Sequence, residues 1–173
     1  MSESLIRALC QGGAFATVAF AAVGSGLGAG IAGSAAIGAW KRCYGQNKPA
    51  PFLLLTFAGA PLSQTIYGFI IMLLINQKIG TTTNPELLRV FPLFLMLGIL
   101  GGIAMGVSAW MQGVAGAAAC DAYAETGKGF VNNLMILGIV ETVAIFTLGF
   151  SIVLLLSIKE AAPVAAAAAQ ALQ

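Results

Sequence analysis

No histidine occurs anywhere in this chain, and only 8% of its 173 residues carry charge. The first absence removes the commonest catalytic base and metal ligand. The second removes the surface of a soluble domain, which carries about 25% charged residues. Cysteine is scarce as well. Cys10, Cys43 and Cys120 are odd in number, widely spaced and form no CxxC pair. Neither a disulfide framework nor a zinc site is expected from them, and they read as reduced, small apolar residues at helix ends. The net charge of +2 is spread over short segments with no basic patch, which argues against nucleic acid as a partner. With no nucleophile–base pair, metal cluster or cofactor motif, the chain is not expected to be an enzyme by itself.

What is present is apolar: 59% of the residues are hydrophobic and the mean hydropathy is +0.94. This is the composition of a membrane protein. Four runs are long enough to cross a bilayer core, at about 12–40, 51–75, 91–119 and 130–158. Residues before Gly12 read as a short polar leader. The first run is too long for the core of a cleaved signal, so it is expected to stay as a mature span. The Ala-rich tail, 159–173, has Pro163 near its start and is given no role.

Spans one and three are rich in small residues. Gly26, Gly30, Ser34 and Gly38 repeat every fourth position in the first, and Gly98, Gly102 and Gly106, then Ala109, Gly113 and Ala117, do so in the third. Small residues at that spacing let helix backbones approach closely in lipid, so these two spans are expected to form an inner layer. Spans two and four are bulkier and should lie outside. The glycines at 24–30 superficially resemble a nucleotide-binding loop. However, Ala29 and Ile31 stand where the third glycine would be, and no strand precedes them.

The order small–bulky–small–bulky is an internal duplication. Lys48 matches Lys128, Lys78 matches Lys159, and Gly68-Phe69 matches Gly149-Phe150, all at an offset of about 80. The expected fold class is therefore an all-α membrane protein of two tandem hairpins, 12–76 and 91–158. Lysines and arginines divide evenly between the two sides. The cluster Lys41, Arg42 and Lys48 in the first hairpin loop tilts the orientation towards cytoplasmic hairpin loops.

One acid lies inside a span: Glu141, within the apolar run 134–158. A carboxylate in hydrocarbon is costly and must be protonated, paired or bound to a cation. Under the duplication Glu141 falls against Ala60 or Pro61, so only the second hairpin keeps an acid. Gln112 and Glu141 are nearly equidistant from the second hairpin turn, which places them at one depth. Gln64 is expected about one helical turn deeper. Pro61 leaves the carbonyl four residues earlier without its helix partner and should distort the backbone near Ala60. The Glu141 carboxylate, the Gln112 and Gln64 amides, the Ser63 hydroxyl and a backbone carbonyl make five hard oxygens with one negative charge, which suits a monovalent cation. Tyr67, one turn beyond Ser63, is placed to donate to the carboxylate. Taken singly, a glutamine or serine in a membrane helix is more often interhelical glue than a ligand. Their convergence on the one intramembrane acid favours a site. Na+ is the expected ion. H+ is the alternative, since a proton site needs only a carboxylate and a hydrogen-bond partner, and a non-transporting oligomeric four-helix protein is the second.

Two tandem hairpins, a Gly-rich first span, Pro61-x-x-Gln64-x-x-Tyr67-Gly68, Gln112 and Val140-Glu141-Thr142 together resemble the membrane-rotor proteolipids (K/c subunits) of V-type (A/V-type) ATPases, above all the bacterial sodium-translocating type. The resemblance covers about residues 11–157. It implies a homo-oligomeric ring in the cell membrane, a stator subunit that presents an arginine, and a central-stalk subunit at the hairpin loops, with ATP hydrolysed by partner subunits. It implies as ion ligands Glu141, Gln112, Gln64, Ser63 and the carbonyl of Ala60, with Tyr67 supporting the carboxylate. Members of the sodium type often carry threonine where Ser63 stands, and the hydroxyl is retained here.

Overall fold

The computed structural model of the chain describes residues 2–158, and the expected tail 159–173 lies outside them. The described residues form α1 (Glu3–Gly45), α2 (Leu54–Gly59), a 3-10 turn (Ala60–Leu62), α3 (Ser63–Thr81), α4 (Asn84–Thr126) and α5 (Phe130–Leu156). Because α2, the 3-10 turn and α3 follow one another without a gap, they make one path of 28 residues. Four helical paths are thus long and apolar enough to cross a membrane.

The helices outrun the apolar stretches that announce them. At 43 residues each, α1 and α4 are about 65 Å long, against a hydrocarbon core of about 30 Å. Hydropathy fades where lipid ends, but the backbone hydrogen-bond ladder does not. Of the joints expected as loops, 76–90 and 120–129 are therefore largely helical, and 41–50 is helical as far as Gly45. The polar leader is helical as well. Ser2 caps α1 by accepting from the Leu5 N–H at 3.4 Å. Arg7 then ties this end down, donating to Glu3 at 3.1 Å, to the Ile79 carbonyl at 3.2 Å and to Asn84 at 2.8 Å.

Stops are made by local chemistry. Thr83 precedes α4, and Pro85 stands in its first turn, where a missing N–H costs nothing. The second hairpin turn reverses the chain in three residues through Gly127 and Gly129, at φ 65° and 79°. That left-handed backbone is open to glycine at little cost. In the first loop the Trp40 indole N–H donates to the Pro51 carbonyl at 2.8 Å.

α1 and α4 run parallel and pack backbone to backbone. A Cβ built on Gly98 would run into the Gly13 carbonyl, and one on Gly113 into the Gly28 backbone. On Gly102 it would come 2.9 Å from the Thr17 carbonyl, and on Gly116 2.8 Å from the Phe57 carbonyl. The inner pair is as expected, but the face of α1 is a different one. Gly24 and Gly28 pack on α4, whereas Gly26, Gly30, Ser34 and Gly38 lie off that contact, and a Cβ added at Gly26, Gly30 or Gly38 would meet nothing within 4 Å. Both stripes repeat every fourth residue. They are offset by two positions, about 200° around the helix, so spacing alone does not choose between them.

α3 and α5 flank this pair. α5 is exposed along one side through Met135, Ile139, Phe146, Phe150 and Val153. At the hairpin-turn end, Arg42 of α1 bonds Asp121 and, at 3.2 Å, Glu125, both on α4. Asp121 holds the guanidinium above its usual range. All three side chains are about half exposed or more. Exposed pairs contribute little. Arg42→Ala should shift the thermal melting point by no more than roughly 2–4 °C, measured by differential scanning fluorimetry in detergent.

Candidate functional site

Pro61 shapes the first part of the site. It carries no N–H, so the Phe57 carbonyl loses its usual helix donor, and the path tightens into the 3-10 turn at Ala60–Leu62. The freed Phe57 carbonyl lies against Gly116, where only a glycine leaves room for it. The Ala60 carbonyl accepts from the Ser63 N–H and from the Ser63 hydroxyl, the latter at 3.2 Å. The backbone distortion expected near Ala60 is present as this short 3-10 segment.

From there a chain of polar groups crosses three helices. The Ser63 hydroxyl also lies 3.2 Å from Gln64 Oε1. Gln64 Nε2 donates to Gln112 Oε1 at 2.9 Å. Gln112 Nε2 donates to the Leu137 carbonyl at 3.0 Å and to Glu141 Oε2 at 3.3 Å. Tyr67 closes the series by donating its O–H to Glu141 Oε1 at 2.7 Å. Gln64 and Gln112 are 0% and 1% exposed, so every polar atom they present needs a protein partner. Glu141, Tyr67 and Ser63 are half-buried, which leaves the acid near the outer surface of α5.

Each residue proposed from the sequence thus lies on one connected network. Gln112 and Glu141 meet at the same depth. Gln64 reaches Glu141 through Gln112. Thr142, another polar residue of the spans, stays outside, because its hydroxyl turns back to the Ile139 carbonyl at 2.6 Å. One contributor was missed. Ser108, one turn before Gln112, donates to the Val140 carbonyl at 2.9 Å and fastens α4 to α5 beside Glu141. Its position four residues from Gln112 was the available signal.

The donor set contains one carboxylate, two amide oxygens, a hydroxyl and a carbonyl. Among the described residues no group of three His, Cys, Asp or Glu side chains could hold a metal ion. Hard oxygens with a single charge are the donor type of a monovalent cation, whereas divalent ions are usually held by more carboxylates. Gln112 offers its nitrogen to the acid and its oxygen to Gln64. Rotation of the amide would turn its oxygen towards the acid. Tyr67→Phe removes one of the two donors to the carboxylate. If a cation is held at Glu141, this variant should weaken its binding about tenfold, read as the cation concentration that half-protects Glu141 from carbodiimide modification.

Residues 95–154, which include Gln112 and Glu141, match the family model for the C subunit of ATP synthase. The A-type ATP synthase subunit K of Methanocaldococcus jannaschii is 32% identical over 147 residues, which cover 84% of this chain and 61% of that protein. The chain therefore spans about three fifths of that relative's length. The four-helix fold, the family match over the second hairpin and the identity across most of the chain agree. The chain is thus similar to the C subunit of ATP synthase over its second hairpin and to the A-type subunit K over most of its length, in keeping with the K/c proteolipids that its polar motif resembles.

Proposed function

We propose that the chain is the ion-carrying subunit of the rotor ring of an A/V-type ATPase. In this reading Na+ binds at Glu141, and its translocation is coupled to ring rotation driven by ATP hydrolysis in partner subunits; the chain itself is non-catalytic. The observation that carries the reading is the convergence of Tyr67, Gln112 and, through it, Gln64 and Ser63 on a single mid-span acid. Both carboxylate oxygens accept hydrogen bonds, which suits an ionised group that pairs with a cation.

The mechanism follows from charge. Glu141 sits near the outer surface of α5, so a bare carboxylate would meet lipid as the ring turns, at a cost of several kcal/mol. Turning through lipid therefore requires a filled site. A stator arginine competes for Glu141, releases the ion into one access path and lets another load from the other side. The ring is homo-oligomeric. The uncovered stripe of Gly26, Gly30 and Gly38 gives a second copy room for close backbone approach. The central-stalk subunit meets the hairpin turns, and the complex lies in the cell membrane. One acid per two hairpins favours ATP-driven pumping over synthesis.

The alternative ion is H+. A proton site needs a carboxylate and one partner, so two buried glutamines would be superfluous to it. Carbodiimide labelling of the assembled ring separates the readings. Sodium is expected to slow modification of Glu141 in a saturable way at fixed pH. Labelling that responds to pH and ignores sodium would establish the proton reading, and no selective reactivity at Glu141 would leave only a structural oligomer.

A further inference from the structure

Among the buried side-chain polar atoms of the described residues, only the Ser25 hydroxyl oxygen has no hydrogen-bond partner. Ser25 lies on α1 and is 2% exposed. A buried, unmatched hydroxyl is disfavoured, so it calls for a physical reason. Its place in the register supplies one. α1 and α3 run antiparallel: Ala21 lies against Gly68, and Gly28 lies against Pro61. Ser25 shares this face of α1, four residues after Ala21 and three before Gly28. Interpolating between the two contacts sets Ser25 opposite Gln64.

Gln64 has a matching need. Its amide nitrogen carries two hydrogens, and one bond from it is made, to Gln112 Oε1. When the Gln112 oxygen turns towards a cation, that bond is lost too. A fully buried amide then needs a new acceptor on its inner side.

We propose that Ser25 is a positioning residue of the cation site, accepting the Gln64 amide hydrogen in the ion-loaded state so that Gln64 Oε1 and Gln112 Oε1 are both free to face the ion. This rests on the cation reading above. Ser25 does not touch the ion; it acts through Gln64. In the network described above its hydroxyl has no partner, so its removal is expected to leave that network intact.

The test is Ser25→Ala in the assembled ring, with Ser25→Cys as a second, isosteric variant that keeps a weak acceptor. The sodium concentration that half-protects Glu141 from carbodiimide should rise about fivefold in Ser25→Ala and less in Ser25→Cys. The sodium-free labelling rate and the ring melting temperature should stay at the wild-type values. Sodium protection unchanged in both variants would overturn the role of Ser25 while leaving the cation site standing. A fall in melting temperature with unchanged sodium protection would overturn it in favour of a purely structural serine. Absence of sodium protection in the wild-type ring would overturn both the site and this role.

Discussion

Glu141→Gln is expected to abolish ion translocation by the assembled complex while the ring still forms. Glutamine has the same shape, and its amide oxygen can still accept from Tyr67, now 2.7 Å from Glu141 Oε1. The charge is what disappears. A unit charge 4 Å from a monovalent cation contributes about 4 kcal/mol at an effective dielectric near 20. That is about three decades in affinity. The neutral oxygens of Gln64, Gln112 and Ser63 do not replace it. An amide cannot shuttle a proton either, so the variant should be inactive whether the cargo is Na+ or H+. Radioactive sodium binding to the purified ring and ion uptake by reconstituted vesicles both report it. Transport at wild-type rates by this variant would return the protein to a structural role.

The second large effect is steric. A Cβ at Gly113 would overlap the backbone of Gly28, so Gly113→Ala forces α1 and α4 apart. Overpacking of this kind typically costs about 1–3 kcal/mol, and backbone rather than a flexible side chain stands in the way here. Gly113 directly follows Gln112, whose bonds to Gln64 and Glu141 depend on the spacing of the same helix. The variant should therefore lose thermal stability and sodium affinity together. Gly12→Ala is the control, because a Cβ there meets nothing within 4 Å. Scanning fluorimetry of the detergent-solubilised protein, paired with sodium-protected labelling, measures both properties.

The sequence carried the site further than it carried the helix ends. Polar residues are so rare in these spans that Gln64, Gln112 and Glu141 stand out, and their distance from the hairpin turn sets their depth. Pro61 announces a backbone irregularity for a covalent reason, the missing N–H. Helix ends were harder, because charged residues such as Lys41, Arg42, Glu86 and Glu125 sit comfortably in helices that project beyond lipid. The choice between the two small-residue stripes of α1 was also hidden. It depends on which stripe finds Gly98, Gly102 and Gly113 across from it, a tertiary fact. Ser25 and Ser108 escaped notice because a serine among glycines reads as one more small residue. The Ser108 hydroxyl acquires meaning only once the Val140 carbonyl is found opposite it, and the Ser25 hydroxyl only once its burial without a partner is known.

In the proposed mechanism a positive ion, caught among these oxygens, neutralises Glu141 as the ring turns. A high-resolution map of the assembled ring in sodium tests it most directly. A compact density bounded by Glu141, Gln64 and Gln112 is predicted, with the Gln112 amide turned so that its oxygen faces the acid. The same hydrogen-bonded network with no added density in saturating sodium would contradict it.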